Sequence, residues 1–254
     1  MISIKSENEI ELLKIAGNIV YQTHQYLKDY IKPGITTKEL DNLAEAFIIS
    51  LNATPSFKGY NGFPGSICAS LNQVVVHGIP DNMVLKSGDI IAIDIGANYK
   101  GYHGDSAWSY KVGDVSKDKE YLLEHTEQAL YCGLEAIKPG NRIGDISFAI
   151  ESYAKKYKLG IVKELVGHGV GIKLHEDPEI PNYGKSGVGP IIKEGMVFAI
   201  EPMLTLGDPS IVILDDGWTI ETEDYSPAGH YEHTVVVTDK GYKILTGDVD
   251  YGEG

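Results

Sequence analysis

The sequence contains only two cysteines, Cys68 and Cys132, among its 254 residues. They do not form a Cys-x-x-Cys pair, so neither a disulfide framework nor a cysteine-type zinc site is expected. The first ten residues include several charges and lack the apolar segment of a signal peptide. Both features are typical of a protein of the reducing cytosol, and we therefore expect a cytoplasmic location.

The sequence also lacks an apolar run of about 18 residues, which argues against a membrane-spanning helix. Basic residues are scarce, with 22 Lys and Arg against 36 Asp and Glu, for a net charge of −14. Because general nucleic-acid binding relies on basic contacts to phosphate, this balance argues against such binding. Hydrophobic residues make up 43% of the chain, which is enough for an ordinary globular core. No linker or low-complexity segment divides the chain, so we expect one domain.

Four segments are predicted to be helical, at 6–31, 32–51, 118–137 and 142–158, and in the first of them apolar residues recur with helical spacing. The first begins with a capping box, Ser6 to Glu9, and the second begins with a Pro-Gly turn and a threonine cap. Short β-rich runs separated by turn residues follow, at 196–204, 210–214, 218–222, 232–238 and 242–246. A strand-like segment with a turn at Asn72 precedes them. The pattern predicts an α+β fold with helices flanking a largely antiparallel sheet.

Two acidic residues interrupt the predicted strands of the first half. Asp94 lies inside the apolar run "DIIAIDIGA", and Asp105 follows after the turn-rich segment "IGANYKGYHG". A hairpin centred between Tyr99 and Lys100 would place the two carboxylates opposite each other, about 5 Å apart. At that distance they repel by roughly 3–4 kcal/mol at an effective dielectric of 20, so the pair must share a proton or hold a cation. The alternative is that one acid points to solvent.

Three residues of the second half could complete a cation site. Glu201 interrupts "MVFAIEPM" and Glu232 interrupts "HYEHTVVV", and the Asp216-Gly217 turn lies midway between them. His168 lies among glycines that allow the backbone to turn tightly and project the imidazole. The rival interpretation of "GHGVG" is a nucleotide-binding loop, but it lacks the GxGxxG spacing and a strand-to-helix context.

Four carboxylates and one imidazole favour Mn, Fe, Co or Zn over soft metals. Five residues are too many for one open catalytic site. They suit two divalent ions bridged by carboxylates and by a water or hydroxide. The two ions would also nearly neutralise the four negative charges of the carboxylates.

The whole pattern resembles the type I methionine aminopeptidases, which have the pita-bread fold. The resemblance covers nearly the whole chain, and five motifs carry it: "VVHGIP", "IDIGANYKGYHGD", "GHGVGIKLHEDP", "IEPM" and "YEHTVVVT". It implies a single catalytic domain over residues 1–254. That domain would have two pseudo-symmetric halves and a curved antiparallel sheet flanked by helices.

The resemblance also implies a role for each metal residue. Asp94 would chelate one ion, Asp105 and Glu232 would bridge both ions, and His168 and Glu201 would complete the second site. Glu201 would in addition accept the proton of the metal-bound water.

The resemblance assigns the remaining site residues to the substrate. His77 and His175 would hydrogen-bond the substrate amide and the tetrahedral intermediate. The pocket for the substrate side chain would consist of Tyr60, Phe63, Cys68, His77, Leu174 and Trp218, with His175 nearby. Three further histidines near the ligands are interpreted as supporting or structural residues, namely His103, His230 and His233.

The implied activity is removal of the N-terminal methionine from peptides and nascent proteins whose second residue is small. The expected cofactors are two divalent ions (Co, Mn, Fe or Zn). We expect a monomer that meets nascent chains at the ribosome, without a nucleic-acid or membrane interaction of its own. One alternative is an Xaa-Pro aminopeptidase or dipeptidase, which shares the metal set but usually carries a large N-terminal domain. Another is a peptide-binding relative without metal, but such a protein should have lost ligands, and here every ligand position is filled.

Overall fold

The computed structural model describes residues 2–248. Within this range four α-helices lie in the segments predicted to be helical, namely α1 (Glu7–Lys28), α2 (Thr37–Ser50), α3 (Lys117–Glu135) and α4 (Ile143–Lys156). The predicted capping box at the start of α1 is present, and Thr36 and Glu39 form a second one before α2. These caps supply partners for backbone N–H groups that a helix start leaves unpaired, which explains why the helices begin there.

The first half contains the strands β1 (Thr54–Pro55), β2 (Ile67–Leu71), β3 (Val74–Val76), β4 (Ile90–Tyr99) and β5 (Tyr102–Lys111). Four of them form an antiparallel sheet around β4. β4 pairs with β1, β2 and β5, whereas β3 pairs elsewhere. Alternate residues of β4, such as Ile91, Ile93 and Ile95, pack into an apolar core with α1 and α2. Because strand side chains alternate, Asp94 lies on the opposite face.

The second half contains shorter strands and the helices α3 and α4. The strands are β6 (Gly160–Ile161), β7 (Val166–Gly169), β8 (Glu176–Pro181), β9 (Val197–Ile200), β10 (Met203–Thr205), β11 (Ile211–Ile213), β12 (Ile220–Thr222), β13 (Ala228–His230), β14 (His233–Val237) and β15 (Tyr242–Ile244). The largest sheet has the order β15-β14-β9-β7-β8, and all its pairs are antiparallel. A second apolar core packs α3 and α4 against this half.

Each half thus contains two helices and an antiparallel sheet, and the halves meet where β5 runs beside β14. The Glu232 amide donates to the Ala107 carbonyl at 2.7 Å, and the Thr234 hydroxyl donates to the Asp105 carbonyl at 2.7 Å. These contacts bring the acid-bearing stretches of the two halves together. No helix within residues 2–248 is long and apolar enough to cross a membrane.

Candidate metal and substrate site

The β4–β5 hairpin places Asp94 and Asp105 on one face, in a register that differs from the predicted one. The turn is formed by Lys100 and Gly101, both with positive φ (50° and 88°), and Asp94 lies opposite Ala107. The predicted direct pairing of the two acids is therefore wrong. A two-residue hairpin turn favours positive φ at both positions, and Gly101 adopts it freely, so the turn forms one residue later. The acids remain diagonal neighbours on the same face.

The second predicted hairpin, about Asp216 and Gly217, is confirmed. Ile200 pairs with His233 and Met203 pairs with His230, and the same register continues through β11 and β12 to the turn. Glu201 and Glu232 occupy the matching positions between these two paired stretches. Since Pro202 follows Glu201 and has no N–H to donate, the ladder is interrupted there.

His168 lies in β7, next to β9, and its imidazole points at the acids. Its Nδ1 is 2.9 Å from the Gly169 carbonyl. Its Nε2 is 3.9 Å from Asp105 Oδ2 and 3.5 Å from Glu201 Oε1. Burial lowers the pKa of His168 to about 3. A neutral imidazole whose Nδ1–H donates to a carbonyl presents a free lone pair on Nε2, which is the usual state of a metal-ligating histidine.

Burial perturbs all four carboxyl groups in the same direction. It raises the pKa of Asp94 to about 7 and that of Glu201 to about 8. The pKa values of Asp105 and Glu232 are also raised well above the usual range, first by burial and then by repulsion from neighbouring carboxylates. The carboxyl groups of Asp94 and Asp105 are in hydrogen-bonding contact.

The donor set fits divalent cations. Asp94 Oδ1, Asp105 Oδ1 and Glu232 Oε1 are buried oxygens without a hydrogen-bond partner in the described part of the chain. Leaving buried polar atoms unpaired is costly, and a cation would satisfy all three. The ligand atoms of Asp105, His168 and Glu232 lie within 4.8 Å of one another.

A cavity of about 250 Å³ ends on this cluster. Its walls include every predicted substrate residue: Tyr60, Phe63, Cys68, His77, Leu174, His175 and Trp218. Phe63, Cys68 and Leu174 form a small apolar cluster against which Trp218 packs. Cys68 pairs with Asp94 across β2 and β4, so the apolar wall and the carboxylates share one face of the sheet.

Residues 11–239 match Metallopeptidase family M24. The chain belongs to this family. It is 54% identical over 246 residues to "Methionine aminopeptidase 1" of Bacillus subtilis, covering 97% of this chain and 99% of that protein. It is 47% identical over 246 residues to "Methionine aminopeptidase" of Clostridium perfringens, with the same shares of each chain.

Solved structures of the family show the same fold. Methionine aminopeptidase from Rickettsia prowazekii superposes with a TM-score of 0.96 at 42% identity, over 97% of this chain and 100% of that chain. Prolidase from Pyrococcus furiosus gives 0.79 at 26% identity, over 96% of this chain but only 65% of the prolidase. The expected pita-bread fold is therefore confirmed. The prolidase has additional chain beyond the shared fold, as expected for the rival class.

The two histidines expected to contact substrate stand at the mouth of the cavity. His77 follows β3 with φ of 59°, an uncommon conformation for a residue other than glycine. The Nδ1 atom of His175 is 2.9 Å from the Tyr60 hydroxyl, and its ring centroid is 4.2 Å from that of His168. Burial lowers the pKa of His77 to about 4 and also lowers that of His175. Both line a wider groove of about 770 Å³ that continues from the cavity.

The three additional histidines differ in their surroundings. His103 has partners on both ring nitrogens, Ser56 and Asn98, and His233 Nδ1 is 3.0 Å from the Thr246 hydroxyl. These contacts are structural. His230, by contrast, turns its Nε2 toward the carboxylates and lines the groove.

Sequence reasoning also missed Phe57 and Asn61, which line the cavity. Phe57 carries no local signal, because only its long-range packing against Leu174 and Cys68 brings it to the site.

Proposed function

We propose that this chain, as a single catalytic domain over residues 1–254, removes the N-terminal methionine from peptides whose second residue is small. One observation carries the proposal: an apolar cavity large enough for a single side chain ends on a cluster of buried carboxylates and imidazole. An aminopeptidase requires that juxtaposition, since the first side chain must be enclosed while the first peptide bond lies beside the catalytic groups.

Asp94, Asp105, His168, Glu201 and Glu232 would together hold two divalent ions, drawn from Co, Mn, Fe and Zn. When bound, such ions polarise a carbonyl oxygen and lower the pKa of water, which supplies the electrophile and the nucleophile for hydrolysis. Asp105 belongs to the first half and Glu232 to the second, so bound ions would also link the two halves.

Glu201 is the residue best placed to handle the proton of the attacking water. Its two carboxylate oxygens face His168 Nε2 and His230 Nε2, each at 3.5 Å. The carboxylate would accept the proton from water and return it to the departing amine.

His77 and His175 would act as neutral hydrogen-bond donors. A His175 ring that accepts the Tyr60 proton at Nδ1 carries its own proton on Nε2, which faces away from the tyrosine. A donor aimed at the carbonyl oxygen stabilises the negative charge that develops there. Because low pKa values keep both rings neutral, they donate without adding charge to the site.

The cavity accounts for methionine as the first residue. A flexible thioether fits an irregular apolar pocket and makes favourable contacts with aromatic rings such as those of Phe63 and Trp218. The second residue would pass between His77 and His175, so a bulky or β-branched side chain would crowd these rings.

The proposal extends to nascent chains at the ribosome, met by a monomeric enzyme in the cytoplasm. The net charge of −14 disfavours direct binding of nucleic acid.

Hydrolysis of Met-Gly-Ser, Met-Leu-Ser and Ala-Pro by the metal-titrated protein tests the proposal. Turnover should require metal and should be far faster for Met-Gly-Ser than for Met-Leu-Ser. Preferential cleavage of Ala-Pro would instead identify an Xaa-Pro peptidase. Tight metal binding without hydrolysis of any of these peptides would contradict an enzymatic role.

A further inference from the structure

His230 lies beside the proposed metal set with an unsatisfied nitrogen. Its Nε2 is buried and has no hydrogen-bond partner within residues 2–248. That atom is 3.5 Å from Glu201 Oε2. This distance is longer than that of an N–H···O hydrogen bond, which is roughly 2.7–3.2 Å. His168 Nε2 stands at 3.5 Å from the other oxygen, Oε1. Glu201 therefore has one imidazole facing each of its carboxylate oxygens.

The spacing is that of two ligands around one ion. Nitrogen and oxygen ligands about 2.1 Å from an ion in tetrahedral geometry lie roughly 3.4 Å apart. The ligand atoms of Glu201, His230 and Glu232 all lie within 4.8 Å of one another. A second group consists of Asp105, His168 and Glu232, so Glu232 belongs to both groups. The two groups therefore resemble adjacent metal sites that share one carboxylate.

The backbone holds His230 in this position from two sides. It pairs with Met203 across β10 and β13. The Ser109 hydroxyl donates to the His230 carbonyl at 2.8 Å, and that hydroxyl lies 3.2 Å from the His230 amide nitrogen. Because β5 supplies Ser109 as well as Asp105, the strand that carries one proposed ligand also anchors His230.

We propose that His230 is a sixth metal ligand, so that each of the two groups contains one imidazole. The inference rests on the proposed function and deepens it by adding a residue to the metal set. A second imidazole would shift the preference of the centre from Mn²⁺ toward ions that favour nitrogen, such as Zn²⁺ and Co²⁺.

Metal affinity provides the first test. The full chain is depleted of metal, and Zn²⁺ and Mn²⁺ are titrated against a chromophoric chelator in the wild type and His230→Gln. We expect Zn²⁺ to bind at least 10- to 100-fold more weakly in the variant, with a smaller change for Mn²⁺. His233→Gln is the matched control, since it replaces a buried histidine of the same segment that does not face the carboxylates, and it should keep both affinities. Equal Zn²⁺ affinity in the wild type and His230→Gln would overturn the inference.

Proton NMR of the Co²⁺-loaded wild type tests ligation directly and does not depend on the stability of any variant. Each coordinated imidazole gives one strongly shifted, solvent-exchangeable N–H signal, so we expect two such signals, one each from His168 and His230. A single signal, with two ions bound and peptides cleaved, would overturn the inference and leave the proposed function intact. Failure of the wild type to bind any of Co²⁺, Zn²⁺, Mn²⁺ and Fe²⁺ would reject the inference and the proposed function together.

Discussion

Asp94 and Asp105 lie on the same face of the β4–β5 hairpin, offset by two residues across the ladder. Their carboxyl groups are close enough to hydrogen-bond, yet each keeps one buried oxygen without a partner in the described residues. Two such neighbouring carboxyl groups are stabilised by sharing a proton or by holding a cation. The predictions below follow from this relationship and from the groups around it.

Asp105→Asn should abolish turnover and cause loss of at least one bound ion. An amide presents only one oxygen acceptor and no charge, so it cannot bridge two cations as a carboxylate does. Elemental analysis and peptide hydrolysis measure the two effects. Near-normal activity with two ions still bound would contradict the bridging role.

His175→Ala should lower kcat by about 10²–10³-fold, because it removes a hydrogen-bond donor from the developing oxyanion. Metal content should stay at the wild-type level, since His175 Nδ1 is engaged by Tyr60 and the ring is outside both ligand groups. Inductively coupled plasma analysis of the variant, alongside its kinetics, checks both statements. Loss of metal would instead place His175 among the ligands.

The cavity should favour Met over Leu at the first position by only about 1–3 kcal/mol, because both side chains are apolar and of similar length. Leu174→Ala should reduce this preference, since Leu174 is a fully buried wall of the cavity. The ratio of kcat/KM values for Met-Ala-Ser and Leu-Ala-Ser measures it. A strong preference for a charged first residue would be incompatible with the apolar wall.

The metal-depleted chain should become less stable as pH rises from 5.5 to 8.5. In the folded state burial raises the pKa of Asp94 to about 7 and that of Glu201 to about 8, from ordinary values near 4. The folded protein then holds these protons more tightly than the unfolded chain. The resulting stabilisation is complete below about pH 4 and is lost as pH rises through 7 and 8, at roughly 1.4 kcal/mol per unit of pKa shift.

Urea midpoints of the depleted chain at several pH values test this expectation, and added Zn²⁺ should reverse the loss, because the ions replace the protons. The double variant Asp94→Asn, Glu201→Gln is the control and should show a flatter pH dependence. A midpoint that rises steadily up to pH 8.5 without metal would refute the assignment of these shifts.

Lys5→Met should lower kcat by about 10- to 100-fold while metal content is retained. Lys5 Nζ is 2.6 Å from Glu176 Oε2, and the side chains are only 4% and 17% exposed. Glu176 directly follows His175, and its Oε1 accepts from the Lys173 amide at 3.2 Å, so the ion pair fixes the loop that carries His175. A small displacement of such a group can cost up to about 100-fold in rate.

Lys111→Met, which breaks an exposed ion pair with Glu120, is the matched control and should keep full activity. Hydrogen exchange of segment 171–176 should be faster in Lys5→Met and unchanged in the control. If the loop exchanges at the wild-type rate and kcat is unaltered, Lys5 has no positioning role.

Local sequence was sufficient for the helices and for much of the site. Ser6–Glu9 and Thr36 mark helix starts because a capping interaction involves residues three positions apart. Glu201 and Glu232 could be paired from sequence because they lie at equal distances on either side of the turn at Asp216-Gly217. The strands on the two sides of that turn keep the same register along their length.

Local sequence was not sufficient where the strand register depends on competing turns, or where a contact depends on residues distant in the chain. The register of β4 and β5 depended on which two neighbouring turn residues could both adopt a positive φ. When the turn moves by one residue, each residue of β4 faces a residue of β5 two positions further along. The strands β7, β8 and β13 were not predicted, because Gly167, Gly169, Pro178 and Gly229 weaken the strand pattern.

The contacts that complete the site join residues far apart in the chain. Lys5 meets Glu176 across 171 positions, and the Ser109 hydroxyl reaches the His230 carbonyl across 121. The residue types of the proposed metal site were determined by the sequence alone. The anchoring of His230 by Ser109, and the contact of the His175 loop with Lys5, were decided only when the two halves packed together, because such contacts form through long-range burial and leave no periodic or local pattern.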